Sequence, residues 1–238
     1  MSTDTLFKRA GRRGDFVFDA AVAAVFPDML HRSVPGYPAI INMLTVLAGQ
    51  HAQAGSTLYD LGCSLGAAAQ ALDAGLTVDG CRIVAIDTAP AMIDQARAGL
   101  ALRHAQLDLR CADIRDEVID NASMVVLNFA LQFVPPDQRL AVLRRVREGL
   151  LPGGVLVLSE KVRGADAVQE RLWVTLHHAF KRANGYSDLE IDRKRRALQH
   201  VLLPETLATH HARLIQAGFR RVDPWFQCFN FVSLIAAV

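Results

Sequence analysis

Between residues 57 and 160 short β-branched runs alternate with helical stretches, the pattern of successive βαβ units in a parallel sheet. Five runs, 57–61, 82–87, 107–111, 123–128 and 154–159, predict strands. Helices fit the connections at 67–73, at 90–103 with Pro90 in the first turn, and at 137–150, where Leu140, Leu143, Val146 and Leu150 share one face. Pro152, Gly153 and Gly154 read as the turn into the fifth strand. Ahead of this core a helix over 38–48 leaves a Val34-Pro35-Gly36-Tyr37 turn, and residues 1–33 show weaker periodicity. Behind it, 166–203 looks helical and unusually basic, 205–217 forms a helix capped by Gly218, and 221–225 and 229–236 predict two last strands. The expected fold is α/β and Rossmann-like: a mostly parallel seven-stranded sheet with helices on both faces. No repeat or Pro/Gly-rich linker divides the chain. Residues 1–238 therefore read as one domain, with an N-terminal extension over about 1–50 and a helical insertion over about 162–204.

Charge narrows the function classes. The 26 Lys and Arg against 24 Asp and Glu leave a formal charge of +2, which argues against binding nucleic acid by broad phosphate neutralisation. The first residues lack the apolar core of a secretion signal, and no apolar run approaches the roughly 18 residues of a membrane span. A soluble cytoplasmic protein without a membrane partner is expected. Cys63, Cys81, Cys111 and Cys228 are scattered with no Cys-x-x-Cys pair, so reduced thiols are expected. The pairs His177-His178 and His210-His211 point to different helix faces and miss the i, i+4 spacing of metal ligands. Surface or partly packed histidines, and no metal, are the expectation.

Candidate chemistry starts at Asp60-Leu61-Gly62-Cys63-Ser64-Leu65-Gly66, a strand end, glycine turn and helix start in the order that binds cofactors in open α/β sheets. Gly62 lets backbone pass close to a ligand, and Gly66 lets the helix pack near the strand. The dinucleotide fingerprint Gly-x-Gly-x-x-Gly is broken by Ser64 and Ala67. Asp87, ending the second strand, is placed to accept both hydroxyls of a ribose. Asp113-Ile114 could address an adenine edge, and Asn128 ends the fourth strand on the same rim. Cys63 has no histidine placed beside it, so the turn explains this small residue better than nucleophilic catalysis does. Trp225, Phe226, Phe229 and Phe231 alternate along the terminal strands as core aromatics do, rather than as a base-stacking surface.

The series Asp-Leu-Gly-Cys-Ser-x-Gly, Ile-Asp, Asp-Ile, Leu-Asn-Phe and Leu-Pro-Gly-Gly resembles the class I S-adenosylmethionine-dependent methyltransferase fold, with Ser64 where glycine is usual. Longer segments resemble one family in particular, the carboxy-S-adenosyl-L-methionine synthases. They are 25–29 (VFPDM), 32–37 (RSVPGY), 59–67 (YDLGCSLGA), 121–129 (NASMVVLNF), 158–161 (LSEK), 180–187 (FKRANGYS) and 225–231 (WFQCFNF). The resemblance spans nearly the whole chain. It implies an enzyme that turns S-adenosyl-L-methionine and prephenate into carboxy-S-adenosyl-L-methionine and phenylpyruvate. The product, expected to co-purify, would supply a separate tRNA carboxymethyltransferase acting on the wobble uridine. Cofactor contacts would fall on Tyr37, Gly62, Cys63, Ser64, Asp87, Thr88, Asp113, Ile114, Asn128 and Arg195, with Thr88 standing where the family carries Asn.

The resemblance also orders the chemistry. A sulfonium acidifies its methyl group, and the ylide formed by losing one proton can attack carbon dioxide. Prephenate supplies carbon dioxide while its ring becomes aromatic, and the hydroxide it expels can take the methyl proton. No dedicated catalytic base is then assigned. The protein would hold two substrates together, exclude water and stabilise carboxylates. Arg195 would discriminate the product, whose extra carboxylate a guanidinium grips in a fork, and the Tyr37 hydroxyl would hydrogen-bond a carboxylate. Taken alone, the run 193–196 reads as a solvated helix face. The helical insertion makes a homodimer an expectation, and either subunit could supply Arg195. A conventional methyltransferase and a non-catalytic S-adenosylmethionine-binding protein are the alternatives.

Overall fold

A computed structural model describes residues 3–8 and 14–238. Strands β1 (Thr57–Leu61), β2 (Arg82–Asp87), β3 (Gln106–Cys111), β4 (Ala122–Asn128), β5 (Leu150–Lys161), β6 (Arg221–Cys228) and β7 (Phe231–Ala237) pair in the order β3-β2-β1-β4-β5-β7-β6. The first five are parallel, and β7 runs antiparallel between β5 and β6. The central strands are nearly continuous apolar runs because helices cover both faces. On one face α5 (Arg139–Gly149) and α8 (Leu207–Ala217) bring Leu143, Val146 and Leu214 onto Val125, Leu156 and Leu234. On the other, α2 (Tyr37–His51), α3 (Ala67–Gly75) and α4 (Pro90–Gly99) bring Leu44, Leu72 and Ile93 onto Leu58, Ile83, Met124 and Val157. β1 and β4 are neighbours although β1 connects onward to β2. Their C-terminal ends therefore bound the topological switch point where such sheets bind ligands.

The expected α/β fold stands, with several corrections. Despite its weak overall periodicity, the N-terminal region forms α1 (Ala20–Ser33), capped by the Asp19 side chain and burying Val22, Val25, Phe26 and Met29 at helical spacing. α4 stops at Gly99, short of 103, where Leu100 turns to extended backbone. The basic stretch after the core is two helices, α6 (Ala167–Ala183) and α7 (Asp188–Leu198). Gly185 at φ +83° breaks them, and a Ser187–Glu190 capping box restarts the chain. The Pro152-Gly153-Gly154 turn lies inside β5 as an irregularity, with a register shift against β4 and Gly153 at φ +79°. Phe229 sits in a left-handed turn before β7 rather than in it. His177 and His210 are buried while their neighbours are not, so each histidine pair does split between faces, but one of each is core.

The expected extension and insertion pack together as one lobe; residues 1–2 and 9–13 of that extension lie outside the described residues. Arg32 donates to the Asn184 carbonyl at 2.7 Å, Arg193 to the Phe7 carbonyl at 3.0 Å, and the Tyr186 hydroxyl bonds Asp4. Ser33, ending α1, is a hub. Its carbonyl lies 2.8 Å from His177 Nε2 on α6, and its hydroxyl accepts from Lys194 Nζ on α7 at 3.1 Å.

Candidate active site

The turn after β1 is shaped by backbone that only small residues tolerate. Gly62 has φ +86°, and a Cβ there would stand 2.4 Å from Ala130 Cβ, so glycine keeps β1 and the β4 end close. The N–H groups of Gly62 and Cys63 both donate to the Ile86 carbonyl at 2.8 Å, which pins the turn to β2. Ser64 takes φ +48°, and its N–H donates to Asp87 Oδ2 at 2.9 Å. Asp87 Oδ1 accepts the Ala89 N–H at 2.9 Å, so this carboxylate orients both loops before any ligand arrives. Each oxygen keeps lone-pair capacity for a diol. Burial pushes the Asp87 carboxyl above its ordinary range, and backbone N–H groups offset part of the rise. Beneath it, fully buried Asp60 accepts the Ala69 N–H at 2.9 Å and is pushed up to about 7 by burial, with Asp87 adding to the shift.

The other expected residues are placed as follows. Thr88 follows Asp87, its carbonyl 3.8 Å from Cys111 Sγ. Asp113 is gripped by the Arg115 guanidinium, which holds its carboxyl below the usual range, and Ile114 is buried beside it. Asn128 ends β4 with a buried Oδ1 that has no hydrogen-bond partner, a polar atom fitted for a ligand. Cys63 is buried, and burial beside Asp60 and Asp87 pushes its thiol up, the opposite of an activated nucleophile. Tyr37 opens α2 after Gly36, whose φ is +77° and whose Cβ would meet the Phe226 ring. The Tyr37 ring lies 6.5 Å from that of Phe129, and burial, with a smaller push from Asp60, raises its hydroxyl above the ordinary range. The structure thus brings Tyr37, Gly62, Cys63, Ser64, Asp87, Thr88 and Asn128 to one rim, with Asp113 and Ile114 after β3 at its edge. Arg195 is different. It stands on the outer face of α7, its side chain 64% exposed and paired to Asp192 at 2.9 Å. No hydrogen bond or ion pair joins it to the crevice.

A rim of this composition fits an adenosyl ligand: a strand-end acid with lone pairs free for a diol, a close-approach glycine and an unpaired Asn oxygen. A methyltransferase-domain family model matches residues 58–154, the span from β1 into β5. Solved structures with this fold include human N-acetylserotonin methyltransferase in complex with SAM (TM-score 0.59, 16% identity, covering 92% of this chain and 55% of that one). Another is the S-adenosylmethionine-dependent methyltransferase SibL (TM-score 0.63, 18% identity, 95% and 63%). At such identities the likeness is one of fold. Relatives of the whole chain decide the family. Carboxy-S-adenosyl-L-methionine synthase of Citrifermentans bemidjiense is 54% identical over 93% of this chain and 92% of its own. That of Escherichia fergusonii is 52% identical over 98% and 96%. The chain belongs to the carboxy-S-adenosyl-L-methionine synthase family. The resemblance drawn from its motifs is therefore sound, including the segments outside the methyltransferase domain.

In this synthase-family chain the structure adds groups to which spacing gave no role. Glu160, next to last in β5, is fully buried, and burial pushes it up to about 8, with Arg139 and the backbone N–H groups of Gln132 and Leu131 offsetting part of the rise. Arg139, wholly buried on α5, donates to the carbonyls of Val134, Gln132 and Leu203 and pairs with Glu205, tying the turn after β4 to the segment before α8. Lys161 and Lys181 lie in the quoted segments LSEK and FKRANGYS. Among the described residues no group of three or more His, Cys, Asp or Glu side chains could hold a metal ion, and no helix is long and apolar enough to cross a membrane.

Proposed function

We propose that this protein converts S-adenosyl-L-methionine and prephenate to carboxy-S-adenosyl-L-methionine, phenylpyruvate and water. The reading is carried by family membership that extends over the lobe of α1, α6 and α7 as well as the methyltransferase core. Bonds and electrons balance without an oxidant. The bond from the prephenate ring to its carboxylate breaks, its electron pair aromatises the ring, and hydroxide leaves. The methyl C–H pair forms the new carbon–carbon bond, and the proton joins hydroxide as water. The chain's residues orient and desolvate. Asp87 holds the ribose, Asn128 and the Gly62–Ser64 turn hold the nucleoside and amino-acid portions, and Asp113 with Ile114 meets the adenine. The ring wall of Tyr37, Phe129 and Phe231 keeps water from the reacting carbons.

The Tyr37 hydroxyl and Arg195 bind the new carboxylate. Arg195 points outward, and Val168 and Leu172, one turn apart on α6, are 68% and 55% exposed, which supports a homodimer built on this lobe. Sedimentation that gives only a monomer would overturn that part. A small net charge and four unpaired thiols support a cytoplasmic supplier of reagent to a separate tRNA carboxymethyltransferase, with no RNA contact of its own.

Incubation of purified protein with both substrates tests the reaction. Phenylpyruvate and the carboxylated nucleoside are expected in equal amounts. S-adenosylhomocysteine formed with an acceptor would point to conventional methyl transfer, and absence of turnover to a binding protein; either overturns the proposal.

A further inference from the structure

The lobe contains a buried cation that no described residue neutralises. Lys181 on α6 is 9% exposed, yet its ammonium makes no hydrogen bond or ion pair with any described residue. No carboxylate bears on it. The charges that do are Lys194 and Lys161, and together with burial they drive it well below its ordinary range. Lys194 is spoken for by the Ser33 hydroxyl and by Asp4 at 3.9 Å. Among the described residues the ammonium of half-buried Lys161, last in β5, also has no hydrogen-bond or ion-pair partner; Glu170, the acid whose charge reaches it, is engaged by the Gly164 N–H at 2.5 Å. His177 and His178 add no negative charge, and burial together with these lysines pushes both below the ordinary imidazole range. An ammonium held among other cations is unfavourable until an anion joins it.

Position connects this cluster to the crevice. His177 and Lys181 are one turn apart on α6, so they share a face. The His177 ring packs edge-on against Phe231, with centroids 4.9 Å apart, and Phe231 lies directly across the β5–β7 ladder from Lys161. Phe231 meets Phe129 at 5.9 Å, and Phe129 follows Asn128 and touches Tyr37. A single wall of rings therefore runs from the nucleoside rim to the two lysines. We propose that Lys181 and Lys161 form the anchor for the carboxylate that the second substrate keeps, the 2-oxo acid side chain that leaves as phenylpyruvate. This rests on the function proposed above. It assigns the two carboxylates of prephenate to different cations: the one transferred to Arg195 and Tyr37, the one retained to Lys181 and Lys161.

Steady-state kinetics and direct binding with Lys181→Met test the anchor. The KM for prephenate is expected to rise roughly 10- to 100-fold, the loss of one charge-assisted hydrogen bond, while the Kd for S-adenosylmethionine stays within about twofold. Lys181→Arg should recover part of the loss. An unchanged KM in an enzyme whose wild type turns over would overturn the anchor alone, whereas a wild type that releases no phenylpyruvate would overturn the underlying reaction. Equal weakening of both ligands would overturn it too, by placing Lys181 in the nucleoside site. Calorimetry of the wild-type protein with phenylpyruvate and with phenylacetaldehyde, which lacks the carboxylate, needs no variant to fold. Phenylpyruvate is expected to bind at least roughly 10-fold more tightly, and equal affinities would contradict the assignment.

Discussion

The two sides of the crevice handle charge in opposite ways. On the β1–β2 side the inward groups are acids, the buried Asp60 and the half-buried Asp87, each held by backbone N–H donors from the segments that follow β1 and β2. On the lobe side they are bases, the buried Lys181 and Lys194 and the half-buried Lys161, of which, among the described residues, only Lys194 has an acid within ion-pair distance. The acidic side is complete without ligand because its carboxylates also serve the backbone. The basic side is incomplete, since an ammonium cannot accept a hydrogen bond and finds no carboxylate to receive its own. A cationic, hydroxyl-bearing ligand suits the first and an anionic one the second. The formal charge of +2 is the residue of this separation and conceals it.

Three changes break or sharpen that contrast beyond the lysine variants. Asp87→Ala should have the largest effect. It removes an acceptor for two ribose hydroxyls and frees the Ser64 and Ala89 N–H groups, so S-adenosylmethionine affinity by calorimetry should fall roughly 100-fold or more. Affinity within threefold of wild type would mean that the acidic side does not hold the ribose. Arg195→Ala should reduce the preference for the carboxylated nucleoside over S-adenosylmethionine by roughly 10- to 150-fold, with little change in the latter's own Kd. Equal affinities before and after the change would remove Arg195 from the carboxylate site.

Glu160→Gln carries the smallest effect and asks whether the acid adjoining Lys161 in sequence is silent. Burial raises its pKa to about 8, so the folded state favours the protonated form. Its contribution to stability is then intact below the unfolded value near 4.5 and is lost as pH rises toward 8. The variant should melt close to wild type at pH 5 and several degrees above it at pH 8, with the gap constant beyond. Parallel melting curves across that range would show that Glu160 is ionised in the fold and tempers the neighbouring lysines.

Much of the acidic side was legible in the sequence because its residues sit at strand ends, where a β-run, a glycine and an acid follow one another within a few positions. Asp87 and Asn128 could be assigned to the rim as soon as their strands were delimited. The basic side was not legible in this way. Lys161, Lys181 and Lys194 come from a strand and two helices, and each lies beside other charged residues, so nothing local distinguishes them from solvated positions. Lys194 stands between Arg193 and Arg195, yet it is buried while Arg195 is exposed, a difference set only by which face of α7 meets α1. The alanine-rich α1 escaped for a related reason: small residues blur amphipathic contrast even when Val22, Val25, Phe26 and Met29 keep helical spacing. The family-specific segments supplied what periodicity lacked.

Ser33 carries a consequence for how the molecule is made. Its bonds to His177 and Lys194 span 144 and 161 positions of chain, and the Tyr186–Asp4 bond spans 182. During synthesis α1 can pack on Met92 of α4 while β1 to β4 pair, but the Ser33 carbonyl and hydroxyl must wait for their partners until α6 and α7 leave the ribosome. The lobe should therefore close last in refolding, and recovery of ribose binding should run ahead of recovery of turnover.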